Sequence, residues 1–230
     1  SRAAIMNTTD LEAQSFGVFA YYTDGATYTP GDVNSNFMYD QEVTYSGKWT
    51  YSPLKYWPNE DTDYLSFYAY APHRDNSNGN IAIAASFDNT KASAPSVTYK
   101  LDGNQSTHVD LLWATPRHNL QKQAYAEDVK FTFNHALSRI GFKAVAVIDE
   151  VNGENTGDVD NINPHGKEVA SGTTITIDEI VLKGKFHQGG VLSLEDGTWT
   201  SKVAADAETY TWGAGQLIAE QASKRLNAQF

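Results

Sequence analysis

Not one of the 230 residues is cysteine, which removes disulfide staples, thiolate nucleophiles and cysteine-ligated zinc or iron–sulfur centres from consideration. Positive charge is also scarce, with 17 Lys and Arg against 28 Asp and Glu and a formal net charge of −11. Such a surface repels phosphate backbones and anionic headgroups, and no basic stripe interrupts it, so neither nucleic acid nor direct membrane binding is expected. No apolar run approaches the ~20 residues of a membrane-spanning helix, and no signal-peptide pattern opens the chain. No repeat of fixed period occurs, which disfavours propellers and solenoids.

What is abundant is aromatic: 13 Tyr, 10 Phe and 5 Trp, set among Thr, Ser, Asn and Gly. Pleated, half-buried strands and their turns prefer this mixture, so the fold class expected is all-β. Residues 16–22 form an aromatic and aliphatic run closed by Thr23-Asp24-Gly25, a strand and its turn. Residues 1–15 before it offer only Ile5, Met6 and Leu11 for burial and read as a frayed arm or an edge strand. Val43 and Tyr45, then Trp49 and Tyr51, flank Ser46-Gly47 as a hairpin with one packed face would, with Trp49 in the core. Between Leu65 and Ala71 the period is two: Leu65, Phe67, Ala69 and Ala71 share one face, and Ser66, Tyr68 and Tyr70 share the other.

Further along, Val129, Phe131 and Phe133 fall on odd positions, whereas Ala136, Ile140, Phe142, Ala144, Ala146 and Ile148 fall on even ones. A strand cannot keep one buried face through such a slip, so a bulge or a crossing between sheets is expected between Asn134 and Ser138. Short strands follow at Ile175–Ile177, Ile180–Leu182 and Leu192–Leu194, the last before a Glu195-Asp196-Gly197 turn and Trp199. Leu217, Ile218, Ala222 and Leu226 recur with roughly helical spacing and predict a helix over 215–230. The simplest plan is two consecutive β-sandwich domains, residues 1–126 and 127–230.

Patterns that could carry chemistry do not hold up. His73-Arg74-Asp75 with Asn80 matches the spacing of a kinase catalytic loop, but the phosphate loop, strand lysine and Asp-Phe-Gly that must accompany it are missing; residues 73–80 read as a solvated turn. The six histidines never form HExxH, so no metal site is assigned. Ser106, His108 and Asp110 alternate along one presumed strand without the elbow a nucleophilic serine needs. The acidic loop 149–161 lacks the Gly and Glu positions of a calcium hand. No catalytic residue and no cofactor are therefore expected. Trp49, Tyr51, Tyr56 and Trp57 could form a sugar-stacking platform, although filling a sandwich interior is the favoured account of them.

Five blocks in order suggest a family: Phe-Gly-Val-Phe-Ala at 16–20, Lys-Tyr-Trp-Pro at 55–58, Leu-Ser-Phe-Tyr-Ala-Tyr-Ala-Pro at 65–72, Val-Asp-Leu-Leu at 109–112 and His-Ala-Leu-Ser-Arg-Ile at 135–140. The succession resembles the fimbrillin-like (Mfa-like) family of Bacteroidales surface proteins. The resemblance implies two transthyretin-like sandwiches and a structural or adhesive subunit of a type V pilus. It implies other pilus subunits as partners, with host or bacterial surface ligands in addition, and an exported protein held at the outer membrane by a lipid anchor upstream of this chain. It also implies removal of an N-terminal segment by an Arg-directed protease, for which Arg2 is the candidate, and a strand-exchange arm to which Ile5 and Leu11 would belong. The helical reading of 215–230 departs from the family pattern and leaves open an incomplete second sandwich. The rival reading is a glycan-binding surface lipoprotein; a hydrolase ranks third, since paired carboxylates carry no motif here.

Overall fold

The computed structural model describes residues 6–74, 81–83, 94–100, 108–122, 128–138, 178–184, 187–204, 208–213, 218–222 and 225–229. Arg2, Ile5, Asp75 and Asn80, Ser106, the strand expected to end at Ile148 and the acidic loop all lie outside these residues. The described chain is all-β: every strand pairing is antiparallel, and one short helix precedes them. It divides into two compact units, residues 1–138 with 186–205, and 139–185 with 206–230.

In the first unit, α1 (Thr8–Glu12) is followed by β1 (Phe16–Thr23), β2 (Met38–Tyr45), β3 (Trp49–Thr50), β4 (Tyr64–Ala71), β5 (Ile81–Ile83), β6 (Ser96–Lys100), β7 (Leu112–Ala114), β8 (Arg117–Leu120) and β9 (Phe133–His135). In the second, β10 (Glu179–Gly184) is separated from β13 (Glu208–Gly213) by β11 (His187–Ser193) and β12 (Trp199–Ala204), which return to the first unit; β14 (Ile218–Ala222) and β15 (Arg225–Gln229) close the chain. One sheet runs β3-β2-β1-β4-β7-β9, with β8 also beside β4; a second runs β12-β11-β6-β5. β10–β13 and β14–β15 are two-stranded.

The central strands β1 and β4 of the larger sheet are buried on both faces, which is why β1 reads as an almost unbroken apolar run. Phe19, Tyr21, Tyr68 and Tyr70 pack with Val97, Tyr99 and Leu192 of the second sheet and with Leu194 just beyond β11, closing a sandwich. Phe16, Val18, Leu65, Phe67, Ala69 and Leu112 form a second cluster on the opposite face. The two faces of β4 therefore divide as its period of two predicts.

Met38 and Val43 differ in parity yet join the same cluster. Phe16 to Val18 pair with Val43 to Gln41 in step, but Ala20 meets Met38, so β2 carries one extra residue. This is a β-bulge, and Asp40 within it has φ 46°, a conformation Asp tolerates better than most residues. The bulge aims the Asp40 carboxylate inward, where it accepts hydrogen bonds from Tyr70 Oη at 2.7 Å and Arg74 Nε at 2.5 Å. Gly17 lies against this cluster, and a Cβ there would run into the Tyr70 ring and meet Asp40 Oδ1. Because that ring is held by its bond to Asp40, Gly17→Ala is expected to destabilise the unit by about 1–3 kcal/mol, as overpacked cores do. A urea midpoint unchanged from wild type would contradict the packing described.

Four expectations are corrected. The predicted C-terminal helix is the hairpin β14–β15, paired from Ile218↔Gln229 to Ala222↔Arg225; four apolar positions in ten residues underdetermine a period, and here strand pairing won. The arm or edge strand is, from Thr8 to Glu12, a helix started by a capping box between Asn7 and Asp10. His73 is no solvated turn residue: it is 3% exposed, with its backbone N–H donating to Ser15 O at 2.8 Å. Trp49 sits in the expected hairpin, whose turn has Gly47 at φ 79°, but it is 37% exposed.

Candidate functional site

The outer face of the larger sheet is only partly covered. Met6 and, from α1, Leu11 pack against the cluster on this face, as do Tyr51 and Trp57 of the loop 51–57 and Val129, Phe131 and Phe133 of residues 129–133. Between them remains a groove of about 1090 Å³, with Phe16, Val18, Leu65 and Phe67 in its floor. Phe16 anchors the aromatic wall: its ring lies edge-on to Trp49 at 4.9 Å, Phe133 at 5.5 Å and Phe131 at 6.0 Å. Trp57 stands edge-on to Phe67 at 6.1 Å. These edge-to-face contacts hold the rings in fixed orientations.

Trp49, Tyr51, Tyr56, Trp57 and Leu11 all line this groove. Tyr56 is 78% exposed and its neighbour Leu54 60%, so the 51–57 loop offers apolar surface to solvent at the groove mouth. Tyr51 is tied down by its hydroxyl, which donates to Lys55 O at 3.2 Å. The edge next to this loop is also incomplete. β3 pairs only with Thr44 and Tyr45, so among the described residues the outer side of β2 from Met38 to Val43 has no strand beside it, and the Gln41 side chain ties it to the loop through Ser52 O at 3.0 Å.

The N-terminal segment is clasped at the groove's end. Asp110 Oδ2 accepts from the Met6 backbone N–H at 2.8 Å and lies 2.8 Å from His135 Nδ1. Asp110 thus serves as an anchor, with the Met6 backbone and His135 as its partners.

The remaining titratable clusters are built into the fold. Tyr68 Oη donates to Glu195 Oε2 at 2.6 Å and lies 3.2 Å from both Tyr28 Oη and His118 Nε2, joining β4 and β8 to the turn after β11. Burial, then the Glu195 hydrogen bond, pushes the Tyr68 phenol far above its ordinary range. Burial, then the Asp40 charge, does the same to Tyr70. Hydroxyls held protonated in this way donate hydrogen bonds and do not serve as bases near neutral pH. Asp196 is lowered by the Thr198 hydroxyl and backbone, as the turn before β12 requires. Among the described residues no three His, Asp or Glu side chains converge as a metal site.

The fimbrillin-like family model matches residues 1–225 of this sequence. The chain belongs to that family. Fimbrium subunit Fim1C of Phocaeicola vulgatus is 33% identical over 152 residues, a match covering 61% of this chain and 39% of that protein. The chain therefore spans well under half the length of this curated relative. A fimbrial protein from Bacteroides vulgatus ATCC 8482 has the same fold at TM-score 0.62 and 20% identity, covering 97% of this chain and 70% of that one. A putative cell adhesion protein from Bacteroides uniformis ATCC 8492 aligns at TM-score 0.41 and 13% identity over 100% of this chain and 72% of that one.

In this fimbrillin-like chain the groove gathers residues that local patterns do not connect. Phe16, Leu65 and Phe131 are marked as apolar strand positions in the sequence, but nothing local places them around one opening. The Asp40 bulge and the Asp110 clasp have no motif at all. The parity difference between Met38 and Val43 is the one signal from which the bulge could have been inferred.

Proposed function

We propose that this chain is a non-enzymatic structural subunit of a cell-surface fimbria, which joins its neighbours by taking an extended strand from one of them. The observation that carries this reading is the unfilled apolar groove, floored by Phe16, Val18, Leu65 and Phe67 and bordered by the open edge of β2. Apolar side chains of the incoming segment enter the groove, and its main chain completes the ladder beside β2. Family membership and the name of the fimbrium subunit relative support the same role.

Magnitudes indicate that both halves of the contact are needed. Three aliphatic side chains buried in the groove contribute roughly 5–9 kcal/mol. Association and ordering cost about 4–15 kcal/mol. Groove filling alone therefore gives a weak contact, and a lasting fibre needs the main-chain pairs as well.

In this reading the units are two transthyretin-like sandwiches, and the protein is exported and held at the outer membrane by a lipid anchor outside this chain. Arg2 is the site of Arg-directed processing. Ile5 and Leu11 belong to the strand-exchange arm that follows it, and Leu11 lines the groove. Limited Arg-specific proteolysis of the purified chain, followed by electrophoresis in SDS without boiling, is expected to give a ladder of resistant oligomers. A strictly monomeric product, before and after cleavage, would contradict the proposal.

A second reading, glycan binding at the groove mouth, is favoured by the exposure of Tyr56 and Trp49, since flat aromatic faces suit sugar rings. The groove floor weighs against it, being apolar where a sugar needs hydroxyl partners. Saturable binding on a glycan array, abolished by Tyr56→Ala, would favour this second reading.

A further inference from the structure

Carboxylates outnumber cations 28 to 17 over the whole sequence. Around the groove the balance is reversed: Lys48, Lys55 and Lys130 line it with Asp128 as the one carboxylate. These lysines come from three separate places, the β2–β3 turn, the 51–57 loop and the segment before β9, and all three are exposed. None of them is ion-paired among the described residues. His135, also on the rim, is already engaged by Asp110. Lys55 Nζ stands over the Phe37 ring, 5.9 Å from its centroid, a cation–π contact that holds this ammonium at the groove wall.

We propose that the groove selects an extended segment in which apolar residues alternate with carboxylates, supplied by a neighbouring subunit. The inference rests on the strand-accepting reading above and adds the chemistry of the partner. Successive side chains of a strand point to opposite sides. When one set enters the floor, the other projects to the rim, where the three lysines stand. Body-to-body repulsion between chains of charge −11 does not override this local match, because charges more than about 8–10 Å apart are screened at physiological salt. The lysines therefore act as a filter as well as an attraction: a basic or neutral strand of equal greasiness meets unpaired ammonium groups.

The test uses three blocked synthetic nonapeptides with the same alternating Ile and Val residues, separated by Glu, by Gln or by Lys. Binding to the full chain is followed through tryptophan fluorescence, since Trp49 and Trp57 line the groove, at low and at high salt. The Glu peptide is expected to bind about 3- to 100-fold tighter than the Gln peptide at low salt, the range for three exposed ion pairs. The Lys peptide should bind weakest. High salt should erase the difference, and the variant carrying Lys48→Glu, Lys55→Glu and Lys130→Glu should reverse it, with the Lys peptide binding tightest. Equal affinity of the Glu and Gln peptides overturns the charge filter and leaves the groove reading intact. Failure of all three to bind overturns the groove reading itself. If the triple variant does not fold, the salt dependence of the wild-type chain decides.

Discussion

Asp40→Ala is expected to lower the stability of the first unit by about 3 kcal/mol, among the largest effects of any single substitution in this chain. Three costs combine. Asp40 adopts φ 46°, where alanine loses about 1 kcal/mol or more to steric crowding. The Tyr70 hydroxyl, fully buried, loses the acceptor it meets at 2.7 Å, and an orphaned buried donor costs about 1–3 kcal/mol. Arg74 loses its partner too, but its side chain is 46% exposed and can turn to water, which keeps the total below the 3–5 kcal/mol upper range for a fully buried broken pair. Asp40→Asn separates these contributions. Asparagine tolerates the same backbone conformation and still accepts from Tyr70, so its loss should be about 1 kcal/mol. Urea unfolding followed by tryptophan fluorescence measures both. Equal and small losses, under about 0.5 kcal/mol, would mean the bulge does not organise this end of the sandwich.

Raising the pH should unfold the protein in one steep step above the ordinary tyrosine range. Tyr21, Tyr28, Tyr68 and Tyr70 pack in the sandwich interior, and burial is the first cause pushing each phenol upward, Tyr28 to about 12 and the other three further. In the unfolded chain these groups release protons near pH 10. Between 10 and 12 the folded state therefore holds more protons than the unfolded one, and stability falls as pH rises. Their contribution is fully present below pH 10 and is lost as pH climbs through 12. Each phenol contributes a slope of about 1.4 kcal/mol per pH unit. Four together, at over 5 kcal/mol per unit, exhaust an ordinary stability of 5–15 kcal/mol within about one to three units. Circular dichroism and phenolate absorbance recorded together should show exposed tyrosines titrating first. The buried group should then ionise in the same step as the loss of structure. Ionisation of all 13 tyrosines along one curve near pH 10, with the fold intact, would contradict this core.

Those same tyrosines show what was legible in the sequence. The alternation in 65–71 separates the faces of β4 because a sheet packed on both sides leaves its period in the side chains themselves. The Ser46-Gly47 and Glu195-Asp196-Gly197 turns are likewise visible because turn chemistry is local. What escapes is non-local. β11 pairs with β6 from Gly189↔Lys100 to Ser193↔Ser96, across about 90 residues, and no local pattern records that choice of partner. Trp49 reads as core because it is large and apolar, yet it stands at the edge of a groove, and its burial there depends on what fills the groove. The 217–226 spacing fits a helix by count alone, since ten residues hold too few apolar positions to tell a 3.6 period from two short strands. Asp40 is missed for a related reason: a bulge turns a nominally outward residue inward, so its polarity suggests solvent where the structure has a buried carboxylate.

In the proposed assembly the outer side of β2 and the groove beside it receive a strand from another subunit. Backbone amide exchange of residues 38–43, measured in the isolated chain and again in assembled fibres containing it, tests this most directly. The account predicts rapid exchange of the outward-facing amides in the isolated chain and strong protection in the fibre, together with slowed exchange at 129–133. Identical exchange of residues 38–43 in both states would contradict it.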